Sequence, residues 1–183
     1  MADIADEEID FSKTLLGNDP VGPLSKLLWE CMSIHAAGPL DPLIRMYMSQ
    51  NAATTAWHLT DWSWRRCPRD KRGALVAAVG ANSESWNDYA LAVRRANVDL
   101  AICRQLATAG KHVTISRDEM KNLSVKVETD DDTGIVLVWI CLDDQRIRDF
   151  DVYARALGWW IDLYVHVGFP EAEKLREILK QGE

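Results

Sequence analysis

Two stretches of the chain carry residues able to move a proton or hold an anion. In the first, Trp57-His58-Leu59-Thr60-Asp61-Trp62-Ser63-Trp64, the imidazole of His58 and the carboxylate of Asp61 stand three positions apart. On a helix that spacing makes them neighbours, so Asp61 can orient the imidazole while the tryptophans keep the surroundings dry. A plainer reading is a core histidine beside an Asp61 to Arg65 surface pair. The second stretch, NVDLAICRQLATAGKH, runs from Asn97 to His112. At 100° per residue, Arg104 falls about 40° from a buried stripe centred on Leu100, Asn97 about 60°, and Lys111 about 20° if the helix persists. A guanidinium cannot shed its charge on burial, so Arg104 needs an anion. That anion is a carboxylate of the chain, with Asp61 the first candidate, or a ligand phosphate. Lys111 and His112 follow Gly110, where cations also satisfy the last carbonyls of a helix. Convergence of Arg104, His112, His58 and Asp61 on one cleft would let a guanidinium hold a phosphodiester while an imidazole moves a proton.

The elements that must position these groups are mostly helices. Residues 1–20 are acidic, with a small apolar cluster at Phe11, Leu15 and Leu16, and read as a mobile arm. Apolar residues recur at helical spacing from Pro23 to Ala37, ending at Gly38-Pro39. Asp41-Pro42 starts a helix that nothing breaks before Cys67-Pro68, and its apolar residues on several sides suggest a central position. A shorter helix over Arg69 to Val79 precedes a long one from Glu84 to Ala109 whose two apolar faces call for burial on both sides. Alternation begins at Leu123, with turn chemistry at Thr129 to Gly134 and an apolar run from Ile135 to Leu142. This predicts a hairpin, with a short third strand over Gln145 to Arg148. Helices over about 149–167 and from Pro170 to near Lys180 close the chain. The expected fold is mainly α: a bundle of about four to six helices, with a β-hairpin or three-stranded antiparallel insertion at about 121–148 before the last two helices. Residues 21–183 read as one domain, because no linker is long enough to divide them.

With 48% hydrophobic residues the chain can fill a core, and its formal charge of −7 leaves no extended basic surface for DNA. The acidic start lacks an export signal and no apolar run is long enough for a membrane span, which together point to a cytoplasmic protein. The four cysteines are isolated, without zinc-ligand spacing, and read as buried thiols. Asp130-Asp131-Asp132 lacks the further ligands of a calcium loop. No phosphate-binding glycine loop or dinucleotide fingerprint is present, so no cofactor is expected.

Arg104, the polar Gln105 and His112 at the end of a long helix resemble the Arg-polar-x-His signature of HEPN-type domains, with seven residues between Arg104 and His112, a longer spacing than is usual there. The resemblance implies a metal-independent endoribonuclease whose site forms at a helical dimer interface. Arg104 would hold phosphate and His112 would serve as acid and base, with His58 and Asp61 in support. NAATTAWHLTDWSW, ICRQLATAGKH, the hairpin and the Trp-rich closing helix together are also similar to uncharacterised bacterial helical proteins. Three readings follow. The first is a binding or interaction module, a homodimer that takes a protein partner or RNA. The second is the HEPN-like ribonuclease or nucleotide-binding domain. The third is a bundle that encloses an apolar small ligand near Trp57 and Trp64, with Asn97 and Lys111 as further ligand-binding residues.

Overall fold

The structure, a computed structural model, describes residues 22–109 and 120–181. They form α1 (Gly22–His35), α2 (Pro42–Arg66), α3 (Arg69–Val79), α4 (Trp86–Ala96), α5 (Val98–Ala109), β1 (Leu123–Thr129), β2 (Val136–Leu142), β3 (Gln145–Arg148), α6 (Asp149–Val167) and α7 (Pro170–Gln181). The fold is the expected one, a mainly α bundle with a three-stranded antiparallel sheet, ordered β1-β2-β3, before the last two helices. The expected arm over residues 1–20 lies outside the described residues, as do Lys111 and His112.

At the centre is α2. Asp41 accepts a hydrogen bond from the Leu43 amide at 2.8 Å and Pro42 occupies the first helical turn, so the helix begins where a free donor is capped and none is wasted. Ala52, Ala53 and Ala56 are fully buried, and such small side chains let neighbouring helices approach closely. Three ties join α2 to α6. Arg45 holds Asp149, the Ser49 hydroxyl meets the Tyr153 hydroxyl at 2.8 Å, and Trp160 donates to the Ala56 carbonyl at 2.9 Å. Each joins residues 104 apart in sequence, so the two helices run parallel in one fixed register. On another side α5 runs antiparallel to α2: Gln50 donates to the Leu106 carbonyl at 3.1 Å, while further along Ser63 meets the Tyr89 hydroxyl of α4 at 2.6 Å.

The long helix expected from Glu84 to Ala109 is two helices, which brings the number among the described residues to seven. Asn97 has extended backbone angles (φ −143°, ψ 116°). Its amide still donates to the Val93 carbonyl at 3.2 Å, and its side chain accepts from the Leu100 amide at 3.0 Å. One residue thus closes α4 and caps α5, which is the preferred work of Asn at a helix start. The break resolves the two opposed apolar faces, since Tyr89 and Val93 are buried on α4 while Leu100, Ile102 and Cys103 are buried on α5, each helix with its own direction.

Strands β1 and β2 pair with Lys126 opposite Trp139 and Ser124 opposite Cys141, and β2 and β3 with Trp139 opposite Arg148. Val136, Val138 and Ile140 alternate inward and are buried beneath α2 and α6. Gly134 makes the hairpin turn at φ +68°, an angle glycine adopts without steric cost. Asp130 fixes that turn by accepting from the Thr133 amide at 2.9 Å and hydroxyl at 2.7 Å, and these hydrogen bonds hold its carboxyl below the usual carboxylate range. Beyond α6, Phe169, Ala172 and Leu175 bring α7 into the same core. Among the described residues, no helix is long and apolar enough to cross a membrane.

Candidate functional site

Of the candidate residues, His58, Asp61 and Arg104 lie among the described residues, spread along α2 and α5. His58 is half-buried on α2 and lines a cavity of about 210 Å³ with Pro23 and Lys26 of α1 and with Asn51, Thr54, Thr55 and Trp62. Lys26 bonds both Glu30 and Thr55, so a cation already stands at the mouth of this cavity. Asp61 is exposed. Arg104 is half-buried on α5. Because Gln50 meets Leu106 and the helices are antiparallel, Arg104 is level with roughly Asn51 to Ala53 of α2. His58 and Asp61 then lie about six and nine residues further along, roughly 9 and 13 Å of helical rise. The expected tie between Arg104 and Asp61 is not made, and the reason is this register.

One buried ion pair and one half-exposed pair tie helices together. Arg45 and Asp149 meet through two bonds of 2.8 and 2.7 Å, with side chains 2% and 0% exposed. Arg155 of α6 grips Asp99 in the first turn of α5 through bonds of 2.9 and 2.8 Å, and that hydrogen bonding raises the Arg155 pKa. Both aspartates sit in the first turn of a helix, where the dipole favours negative charge. Arg45 stands in the unbroken apolar run of α2 without any motif around it, so nothing local marked it. The signal available was a lone charge among apolar neighbours.

Asn97 spends its side chain on the helix cap, and Gln105, the polar residue of the HEPN-like signature, is buried and accepts from the Met120 amide at 3.4 Å. Trp64 stacks on Tyr89 at 5.2 Å, contacts Trp86 at 6.4 Å and lies 4.8 Å from the Arg72 guanidinium, while Trp57 packs half-buried against the core. An apolar cavity of about 280 Å³ lies between α2, α5 and the sheet, walled by Met46, Leu106, Val125, Val138, Ile140 and Tyr153.

Beside this cavity is a cluster of exposed apolar side chains. Leu43, Ile44, Met46 and Tyr47, in the first two turns of α2, are 52%, 52%, 44% and 59% exposed, and Val125 on the facing strand is 46% exposed. The one charge within these two turns is Arg45, which points inward to Asp149. Three of the four cysteines are buried as expected, and burial pushes Cys31 up to about 12, Cys67 up to about 11 and Cys103 well above its ordinary value, which disfavours their thiolates; Cys141, on β2, is partly exposed instead. Among the described residues no group of three or more His, Cys, Asp or Glu side chains is placed to hold a metal ion. No family model, curated protein or solved structure matches the chain.

Proposed function

We propose that the chain is a helical interaction module that pairs with a second copy of itself through the first two turns of α2 and the apolar cavity beside them. The observation that carries this reading is the set of four large exposed apolar side chains in the first two turns of α2, where the one charge, Arg45, points inward and the capping Asp41 stands at the edge. Exposed apolar side chains scattered singly are ordinary, whereas a contiguous group beside an apolar cavity marks an interaction surface. A second copy suits it better than a charged partner would. Two chains of net charge −7 repel each other over most of their surfaces, and a mostly apolar patch is where they can approach. Pairing about a two-fold axis sets the same apolar side chains against their copies, and a stable interface of this kind takes roughly 800 Å² per partner.

Sedimentation equilibrium tests this. At about 100 µM, where a complex with a micromolar Kd is almost fully formed, the wild type is expected as a dimer. Met46→Glu is expected to give a monomer with unchanged circular dichroism, whereas Ile178→Glu, at an exposed apolar position on α7, leaves the dimer intact. A monomeric wild type, or a dimer indifferent to Met46→Glu, overturns the reading.

One observation favours the HEPN-like ribonuclease as a second reading. Ala109 and Leu106 of α5 line the same cavity as Met46, so the helix that carries Arg104 borders the proposed pairing surface. The resemblance puts the family's site at such an interface. Cleavage of single-stranded RNA in EDTA is then expected of the wild type and not of Arg104→Ala. No cleavage by the wild type, or equal cleavage by both, removes this reading.

A further inference from the structure

On the far side of the sheet, the strand pairing gathers positive charge that the chain as a whole lacks. Lys126, Trp139 and Arg148 occupy consecutive places across β1, β2 and β3, with Arg146 two residues before Arg148 on the same face. Arg146 lies 4.0 Å over the Trp139 ring and is paired with Glu128. Arg148 is different. It stands 5.6 Å from the Trp139 ring, its Nε is buried without a hydrogen-bond partner, and the Trp139 Nε1 is in the same condition. The neighbouring carboxylates are already engaged, Asp149 by Arg45 and Glu128 by Arg146, and Arg148 has no carboxylate partner among the described residues.

A part-buried guanidinium cannot lose its proton, so its cost is relieved by an anion. In front of Arg148 is a cavity of about 260 Å³, between the end of α1, the start of α2 and the β1–β2 turn. His35 forms part of its wall, beside Phe150 at 4.8 Å. Ile34, Ile135 and Leu137 supply an apolar side. Asp130 and Thr133 also face the cavity, but Asp130 accepts both Thr133 hydrogens. Arg45 reaches the wall as well, with its charge offset by Asp149. Arg148 is the cation facing the space that no carboxylate contacts among the described residues, and the His35 imidazole stands on the same wall.

We infer that this cavity binds the phosphate group of a small phosphorylated molecule, with Arg148 as its principal holder and His35 as a second donor. The forked geometry of a guanidinium suits two phosphate oxygens, and the apolar wall leaves room for the body of the ligand beyond them. The cavity adjoins the inward side of the start of α2 through Arg45, but its two proposed phosphate holders, Arg148 and His35, are not part of the pairing surface.

The test titrates the full chain with inorganic phosphate, following the thermal midpoint and the heat of binding at constant ionic strength held with sodium chloride. Saturable binding at low millimolar phosphate is expected, with a rising midpoint. Arg148→Met, which keeps an apolar stem, is expected to weaken binding at least tenfold, and Arg148→Lys less. Asp130→Asn, which can still accept from Thr133, is expected to tighten binding two- to fivefold by removing a negative charge from the wall. Arg176→Met, on α7, serves as the control and leaves binding unchanged. If Arg148→Met fails to fold by circular dichroism, Arg148→Lys and Asp130→Asn decide. Equal responses to phosphate and chloride, equal affinity for acetate and phosphate, or variants at both positions that bind like the wild type overturn the inference.

Discussion

Removal of Asp149 should be the most damaging single change at the α2–α6 seam. Its carboxylate receives both terminal nitrogens of Arg45 at 2.8 and 2.7 Å and also accepts from the Phe150 amide at 2.9 Å. In Asp149→Ala the guanidinium remains where it is 2% exposed, with its anion gone. Breaking a buried pair from one side costs about 3–5 kcal/mol, because a charge is left without compensation. A domain of this size has about 5–15 kcal/mol in all, and each kcal/mol moves the midpoint by about 2–4 °C. The expected fall is therefore on the order of 6–20 °C. Arg45→Met should cost less, since an orphaned carboxyl group can take up a proton and an orphaned guanidinium cannot. Arg45→Met combined with Asp149→Leu should recover much of the loss, as apolar replacement of a buried pair is often neutral. Urea unfolding followed by circular dichroism measures all three, and the cycle gives a coupling free energy of at least about 2 kcal/mol if the pair acts as argued. A loss below about 1 kcal/mol for Asp149→Ala, or additive effects in the double variant, would refute the reasoning.

Two further outcomes follow from described contacts. Asn97→Ala removes the acceptor for the Leu100 amide and should cost about 1 kcal/mol in urea unfolding; an unchanged midpoint would mean that the backbone alone holds the α4–α5 break. Cys31 and Cys67 bind their protons more tightly folded, at about 12 and about 11 against an ordinary 9.0, so their contribution is complete below pH 9.0 and is lost as pH rises through the folded values. Unfolding free energy should fall by up to about 1.4 kcal/mol per pH unit for each thiol above pH 9, and a flat profile to pH 11 would contradict the burial of both.

The fold was legible in the sequence because its signals are local. Asp41-Pro42 and Cys67-Pro68 bracket α2 by backbone chemistry alone, and the period changes from helical to alternating at Leu123, where β1 begins. The break at Asn97 was not, since Asn is tolerated inside a helix and its cap depends on where α4 and α5 must each point. The candidate site was the least legible part. Helical spacing put Arg104 on a buried flank and suggested Asp61 as its partner, but the pairing of side chains on different helices is set by register, which no single helix encodes. Arg45 and Asp149 lie 104 positions apart, and the partnership of each is visible only when both helices are in place. Arg148 escaped notice for a similar reason: its lack of a carboxylate emerges only once Asp149 and Glu128 are committed to other arginines.

The one-to-one register of α2 with α6 has a kinetic consequence. Parallel neighbours cannot be joined by a short turn, so the chain between them must travel back along the bundle before Trp160 can meet Ala56. Such contacts between distant positions carry a large loop-closure cost and form after the nearby ones of the α1–α2 hairpin or the β1–β2 turn. Closure of the α2–α6 seam then comes late in folding, and its polar rungs act as a latch on the finished molecule. Changes there should leave the rate of folding little altered and speed unfolding, so the lifetime of the native state is governed by a seam that contributes little to reaching it.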